Sequence, residues 1–90
     1  MKKYQVDFRD EALEDLDKLD KAVAQRVLNK IRWISENFDN ITPERLSGDF
    51  RELYKLRIGD WRVGYTVHSE LITIHIVDHR GKIYKSKRSF

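Results

Sequence analysis

Apolar positions change their period along the chain, and the changes mark out its elements. Tyr4, Val6 and Phe8 alternate with polar neighbours, a two-residue repeat that predicts a short strand with those three side chains facing inward. The repeat then lengthens. Ala12, Leu13, Leu16 and Leu19 fall on one helical stripe, and Asp10, Glu11, Glu14 and Asp15 put acids in the first turns, where the helix dipole favours them. Asp20 can cap a second helix. Val23, Ala24, Val27, Leu28, Ile31, Ile34 and Phe38 recur three and four apart over about four turns. Two antiparallel helices meeting near Asp20 would form a hairpin that lies on a sheet. Trp33 falls off this stripe, near Arg26, Lys30 and Asn37. It either makes a flank contact with the sheet or first helix, or presents an aromatic ring to a partner.

Residues 41–48, Ile-Thr-Pro-Glu-Arg-Leu-Ser-Gly, read as a linker. Thr42 followed by Pro43 resembles an N-cap and a first helical residue, which predicts a single helical turn there, ended by Gly48. Strand periodicity then returns. Residues 50–58 and 61–67 are predicted to form a hairpin across Gly59-Asp60, and residues 68–70 turn the chain again. Residues 71–77 are rich in β-branched side chains, with Ile72, Ile74 and Ile76 on one face, the signature of a buried central strand. Residues 78–81 break it, and Ile83, Tyr84 and Lys85 are expected to resume an extended course. The order β-α-α-β-β-β gives the class α+β: a small antiparallel-rich sheet with an N-terminal helical hairpin packed on one face. There are no repeats and no low-complexity segments, and residues 1–90 are expected to make one small domain.

Composition narrows the chemistry. The chain has no cysteine, so it has neither a disulfide framework nor a thiolate nucleophile. His68, His75 and His79 lack a cluster of carboxylates at ligand spacing, so neither a metal nor any other cofactor is expected. No stretch is apolar enough to span a bilayer, and the two lysines near the start precede no long apolar run, so a cytoplasmic protein with no membrane partner is expected. The net charge of +3 hides an asymmetry. Residues 1–49 carry nine Lys and Arg against eleven Asp and Glu, whereas residues 50–90 carry nine against four. Basic charge is concentrated in the half that reads as sheet, which points to nucleic acid or another acidic partner.

Residues 53–65, Leu-Tyr-Lys-Leu-Arg-Ile-Gly-Asp-Trp-Arg-Val-Gly-Tyr, sharpen that reading. Alternation sends Tyr54, Leu56 and Ile58 to one face and Lys55 and Arg57 to the other. On the next strand Trp61, Val63 and Tyr65 share a face, opposite Arg62 and Gly64. Aligning the apolar faces brings Lys55, Arg57 and Arg62 together, beside a glycine expected to leave room for a ligand. Tyr54, Trp61 and Tyr65 read as core. A basic run follows from Arg80 through Lys82 and Lys85 to Arg88. RNA is the leading candidate for this face, although lysines and arginines on an open sheet also serve solubility alone.

In order and spacing the chain resembles the RelE/ParE superfamily of toxins from prokaryotic toxin–antitoxin systems. The resemblance rests on the opening strand and helix, Leu46-Ser-Gly48, Leu53-Tyr-Lys-Leu-Arg57, Trp61-Arg-Val-Gly-Tyr65 and His79-Arg-Gly-Lys-Ile-Tyr84, and it covers nearly the whole chain. For RelE-type members it implies ribosome-dependent cleavage of messenger RNA, without a metal, by attack of a ribose 2′-hydroxyl on the adjacent phosphate. The family's site residues match Lys55, Arg57 and Arg62, with Arg80 and Tyr84 best matching its late arginine and tyrosine. Lys82, Lys85 and His79 are expected as further RNA contacts.

The chemistry is intelligible from the residues. Fixed cations stabilise the charge that builds on the phosphorane oxygens more than they stabilise the ground state, and arginine can bind two phosphate oxygens at once. A base must take the 2′-proton and an acid must protonate the leaving oxygen. Lys55 can serve if Arg57 and Arg62 crowd it, and Tyr84 can serve by the same logic or can stack on a base. His79 is the rival acid or base. His75 is expected on the open face or at its edge, and His68 in a turn. The resemblance further implies a cognate antitoxin, which would drape over the toxin and neutralise its basic face. Two alternatives stay open: a ParE-like toxin that binds DNA gyrase, and a non-catalytic RNA-binding module. The tail carries Phe90, for which packing on the sheet is one expectation.

Overall fold

A computed structural model describes residues 3–85; the tail with Lys87, Arg88 and Phe90 lies outside the described residues. The helical hairpin forms where the apolar period places it, as α1 (Asp10–Asp17) and α2 (Lys21–Asn37). Between them Asp20 accepts a hydrogen bond from the Ala22 N–H at 3.1 Å, satisfying one of the donors a helix start leaves unpaired. The buried stripe is narrower than the periodicity predicts. Ala12, Val27, Ile31 and Ile34 are buried, but Leu13 is 47% and Leu28 38% exposed. On α1 the sheet-facing positions belong to Ala12 and Asp15. The buried Asp15 carboxylate accepts from the Val77 N–H at 2.9 Å, so a polar contact joins the packing of Ala12 and Leu16 in holding α1. Among the described residues no helix is long and apolar enough to cross a membrane.

The sheet has five strands in the order β1-β5-β4-β3-β2, formed by β1 (Gln5–Phe8), β2 (Glu44–Arg45), β3 (Tyr54–Ile58), β4 (Trp61–His68) and β5 (Leu71–His79). The class is α+β, as the pattern predicts. β1 runs parallel to β5, and the remaining pairs are antiparallel. The Ser69-Glu70 turn between β4 and β5 takes φ of 49° and 67°, both left-handed, the two-residue turn whose twist matches the flanking strands.

Several local expectations are corrected. Thr42 and Pro43 do not open a helical turn; the chain runs extended into β2, held by pairing of Glu44 with Lys55 and by the Leu46 N–H donating to the Leu53 carbonyl at 2.9 Å. Single 3-10 turns form instead at Phe38–Asn40 and Gly48–Phe50, so β3 starts at Tyr54 and not at residue 50. Ile83–Lys85 is likewise a 3-10 turn and not extended, because Ile83 is buried and the Lys85 N–H reaches back to the Lys82 carbonyl at 3.0 Å.

Ile76 also departs from its predicted face. An irregularity opposite Gly64 and Tyr65 shifts the β4–β5 register, pairing Gly64 with Ile76 but Tyr65 with Ile74. Ile72, Ile74 and Val77 therefore join the main core under the helices, with Val27, Ile31, Ile34, Val63 and Tyr65. Ile76 crosses to the other side and packs with Leu46, Phe50, Leu53 and Ile83 in a second, smaller core.

Gly64 lies at the centre of that second core. A Cβ there would stand 2.7 Å from Ile76 Cγ2, 2.9 Å from Leu53 Cδ1 and 3.1 Å from Leu46 Cδ1. The room expected for a ligand beside this glycine is filled by the protein's own side chains. Gly64→Ala is therefore expected to cost about 1–3 kcal/mol through overpacking. Urea unfolding checks this, and an unchanged midpoint would show that the three methyl groups have space to retreat.

Candidate nucleic-acid interface

The β3–β4 register sets Arg57 directly opposite Arg62 and Lys55 opposite Gly64. Partners across a ladder share a face, so these three cations do stand on one side of the sheet, the side of the second core. Like charges placed directly opposite destabilise a sheet, so the Arg57–Arg62 pair opposes the fold. Arg57 is exposed, while Lys55 and Arg62 are half-buried. Arg62 Nη1 donates to the Gly59 carbonyl at 2.8 Å and to the Trp61 carbonyl at 3.0 Å. Lys55 Nζ lies 3.5 Å from Glu44 Oε2.

Arg80 follows the end of β5 and is tied to the same turn as Arg62. Its N–H donates to the Asp60 carbonyl at 2.8 Å, and its Nε lies 3.6 Å from Asp60 Oδ1. The two-residue turn Gly59-Asp60 thus anchors two arginines from separate elements. Gly59 has a φ of +56°, and a Cβ on it would stand 3.2 Å from Arg26 Nη2, which brings a third guanidinium from α2 to the turn. Tyr84 is 46% exposed and follows Ile83, whose burial in the second core fixes where the ring begins.

The other expected residues have surroundings of their own. Lys82 lines a cavity of about 290 Å³ with Asp15, Lys18, Asp78 and Trp61, at the α1 end of the molecule. Lys85 is exposed. His79 Nδ1 accepts from the Gly81 N–H at 3.1 Å, and its ring meets Trp61 edge-on with centroids 5.5 Å apart, contacts that hold the strand end. His75 Nε2 lies 2.9 Å from Thr66 Oγ1, beyond the register shift from the cations. Of the three aromatic residues assigned to the core, Tyr65 is buried, and its hydroxyl is pushed up to about 12 by burial and by Tyr54. Tyr54 and Trp61 are half-buried.

Sequence reasoning missed the acids. Glu44 and Asp60 each lie against a cation, and Asp78 stands opposite Arg62 on β5. The strand-end position of Asp78 was legible, but its partner depends on a register that no local pattern shows. Arg26 was noted only as a neighbour of Trp33 on the helix.

Comparison with known proteins bears on what such a surface does. The family model described as ParE toxin of type II toxin-antitoxin system, parDE, matches residues 6–84. A curated RelE-like toxin protein of Escherichia coli is 36% identical over 77 residues, spanning 83% of this chain and 79% of that protein. The toxin–antitoxin complex RelBE2 of Mycobacterium tuberculosis contains a chain that superposes with a TM-score of 0.76 at 25% identity, covering 89% of this chain and 94% of that one. In the archaeal RelE–RelB complex of Pyrococcus horikoshii OT3 the match has a TM-score of 0.69 at 27% identity, covering 91% and 99%.

The half-buried His75 gives the interface face a pH signature. Burial, and to a lesser degree Arg9, lower its pKa below the ordinary 6.5, with Glu11 opposing. The unfolded chain takes up this proton more readily than the folded one, so stability is full above about pH 6.5 and falls as the pH drops through that value. His75→Gln should flatten part of the decline in melting temperature between about pH 7 and pH 5. Parallel curves for the two proteins would show that another group is responsible.

Proposed function

The chain belongs to the RelE/ParE superfamily as a toxin of the type II toxin–antitoxin class, and on that footing we propose that it is a ribosome-dependent messenger RNA endonuclease. The observation that carries this reading is the opposed pair Arg57–Arg62, with Lys55 beside it and Arg80 tied to the same turn as Arg62. Two arginines set opposite each other on one face of a sheet repel, and an anion between them would relieve that repulsion.

The scissile phosphate lies against Arg57 and Arg62, and Arg80 braces it from the end of β5. The ribose 2′-oxygen attacks phosphorus, the bond to the 5′-oxygen breaks, and the products are a 2′,3′-cyclic phosphate and a free 5′-hydroxyl. Arginine cannot exchange a proton at neutral pH. Within the set, proton transfer falls to Lys55 and Tyr84, one taking the 2′-proton and the other protonating the leaving oxygen. The guanidinium groups match the charge that grows on the phosphorane. No metal or other cofactor has a step in this scheme. The reaction takes place in the cytoplasm, on a translating ribosome. The M. tuberculosis and P. horikoshii relatives are held in toxin–antitoxin complexes, which supports a cognate antitoxin as the partner that keeps this toxin silent.

The family model favours one other reading, a toxin acting on DNA gyrase, because the model is that of the ParE toxin. Primer extension on a message translated with the purified protein separates the two. Cleavage within codons supports the nuclease, whereas intact message with gyrase-dependent DNA breaks supports the other target. In the cleavage assay Arg62→Ala and Arg80→Ala should each lower the rate about 10²- to 10³-fold with the circular dichroism spectrum unchanged, as loss of one transition-state donor does. Wild-type rates in the double variant would remove these residues from the mechanism.

A further inference from the structure

β2 is only two residues long, and its pairing with β3 covers Tyr54 and Lys55 alone. Pro43, just before it, has no N–H to extend the ladder. Among the described residues, the outer edge of β3 beyond Lys55 therefore has no strand beside it. A cavity of about 210 Å³ opens around that edge, lined by Lys30 and Trp33 of α2, Pro43 of the linker, and Lys55, Leu56 and Arg57 of β3.

Its chemistry is specific. Trp33 is 45% exposed, in a protein that buries most of its large apolar side chains. The Lys30 ammonium lies 4.3 Å from the centre of the Trp33 ring. Three cations and one carboxylate, Glu44, line the space, and Glu44 is already engaged by Lys55 at 3.5 Å. The volume falls below that of pockets for drug-sized ligands, about 300–1,000 Å³, and suits one planar heterocycle. An aromatic face rimmed by cations is how single-stranded nucleic acid is held: bases stack on the ring and phosphates meet the charges. An acidic peptide would satisfy the cations but has no planar group for the indole. Lys55 and Arg57 line this cavity and also belong to the proposed phosphate site, so the edge of β3 is what the two share.

We propose that the cavity at the β3 edge is a nucleobase subsite, in which Trp33 stacks on an unpaired base of the RNA whose phosphates run along Lys55 and Arg57. The inference rests on the RNA reading above but not on cleavage. The base comes either from the message or from ribosomal RNA.

The direct test is fluorescence anisotropy with the purified chain and a short unstructured ribo-oligonucleotide, 2′-O-methylated to prevent cleavage. Trp33→Ala should weaken binding about 5- to 150-fold, the span for loss of one stacked base, and Trp33→Phe should restore most of it. Equal affinities for wild type and Trp33→Ala would overturn the subsite. So would a loss confined to an acidic peptide probe, which would make this a protein-docking surface. Ribosomal cleavage by the same proteins keeps the two proposals apart. Trp33-dependent binding without cleavage leaves the subsite standing and removes the nuclease. Normal cleavage with Trp33-independent binding does the reverse. On ribosomes, photocrosslinking of Trp33 to a 5-iodouridine message assigns the base to the message, and a crosslink to ribosomal RNA assigns it there. Either supports stacking.

Discussion

The second core is closed around a residue with no side chain, and the proposed site depends on that closure. Because Gly64 leaves its face of β4 bare, Leu46, Leu53 and Ile76 can lie against the backbone itself. Ile83 joins them, together with Phe50. These apolar contacts give the chain after β5 a reason to return across the sheet. Ile83 is the plug, and Tyr84 is carried with it. Tyr84 is thus located by the burial of its neighbour Ile83.

The cations are arranged against their mutual repulsion. Arg57 and Arg62 face each other across the β3–β4 ladder. Hydrogen bonds from Arg62 to the Gly59 and Trp61 carbonyls offset part of the repulsion by fixing one guanidinium in place. Glu44 lies against Lys55, and Asp60 against Arg80. Such exposed pairs contribute little stability, about 0–1 kcal/mol each, and an incoming phosphate can displace them at small cost. The free protein therefore holds its basic groups in place without locking them to its own acids. For the RNA surface proposed above, which a cognate antitoxin would also have to cover, weak internal partners are an advantage.

Much of this was legible in the chain. The Asp20 cap, the extent of α2 and the alternation through Lys55, Arg57 and Arg62 are local patterns, and each appears where the spacing puts it. The failures occur where a distant residue decides. Asp15 looked like one more acid at a helix start, yet its partner is Val77, sixty-two positions away. Ile76 looked like the third isoleucine of a stripe, until the shift opposite Gly64 turned it over. Thr42-Pro43 carried a helix signal that the pairing of Glu44 with Lys55 overrides. Gly64 itself was read as space for a ligand, because sequence can show that a side chain is missing but not what fills the gap. The site's cations were found for the same reason that its acids were missed: alternation reveals which residues share a strand face, and only the register reveals who stands opposite.

β5 draws together the two ends of the described chain. It takes β4, its hairpin partner, on one side, and on the other it takes β1, where Gln5 meets Leu71. β1 therefore packs on α2 early but has no strand partner until β5 has been made. Formation of the sheet waits on that long-range closure, which slows folding compared with a protein built from local contacts. A chain abandoned before its seventies would carry both helical segments and many of its cations yet lack β5, the strand that joins β1 to β4. In a polypeptide whose finished form is a toxin, an incomplete copy therefore lacks the strand on which the sheet depends.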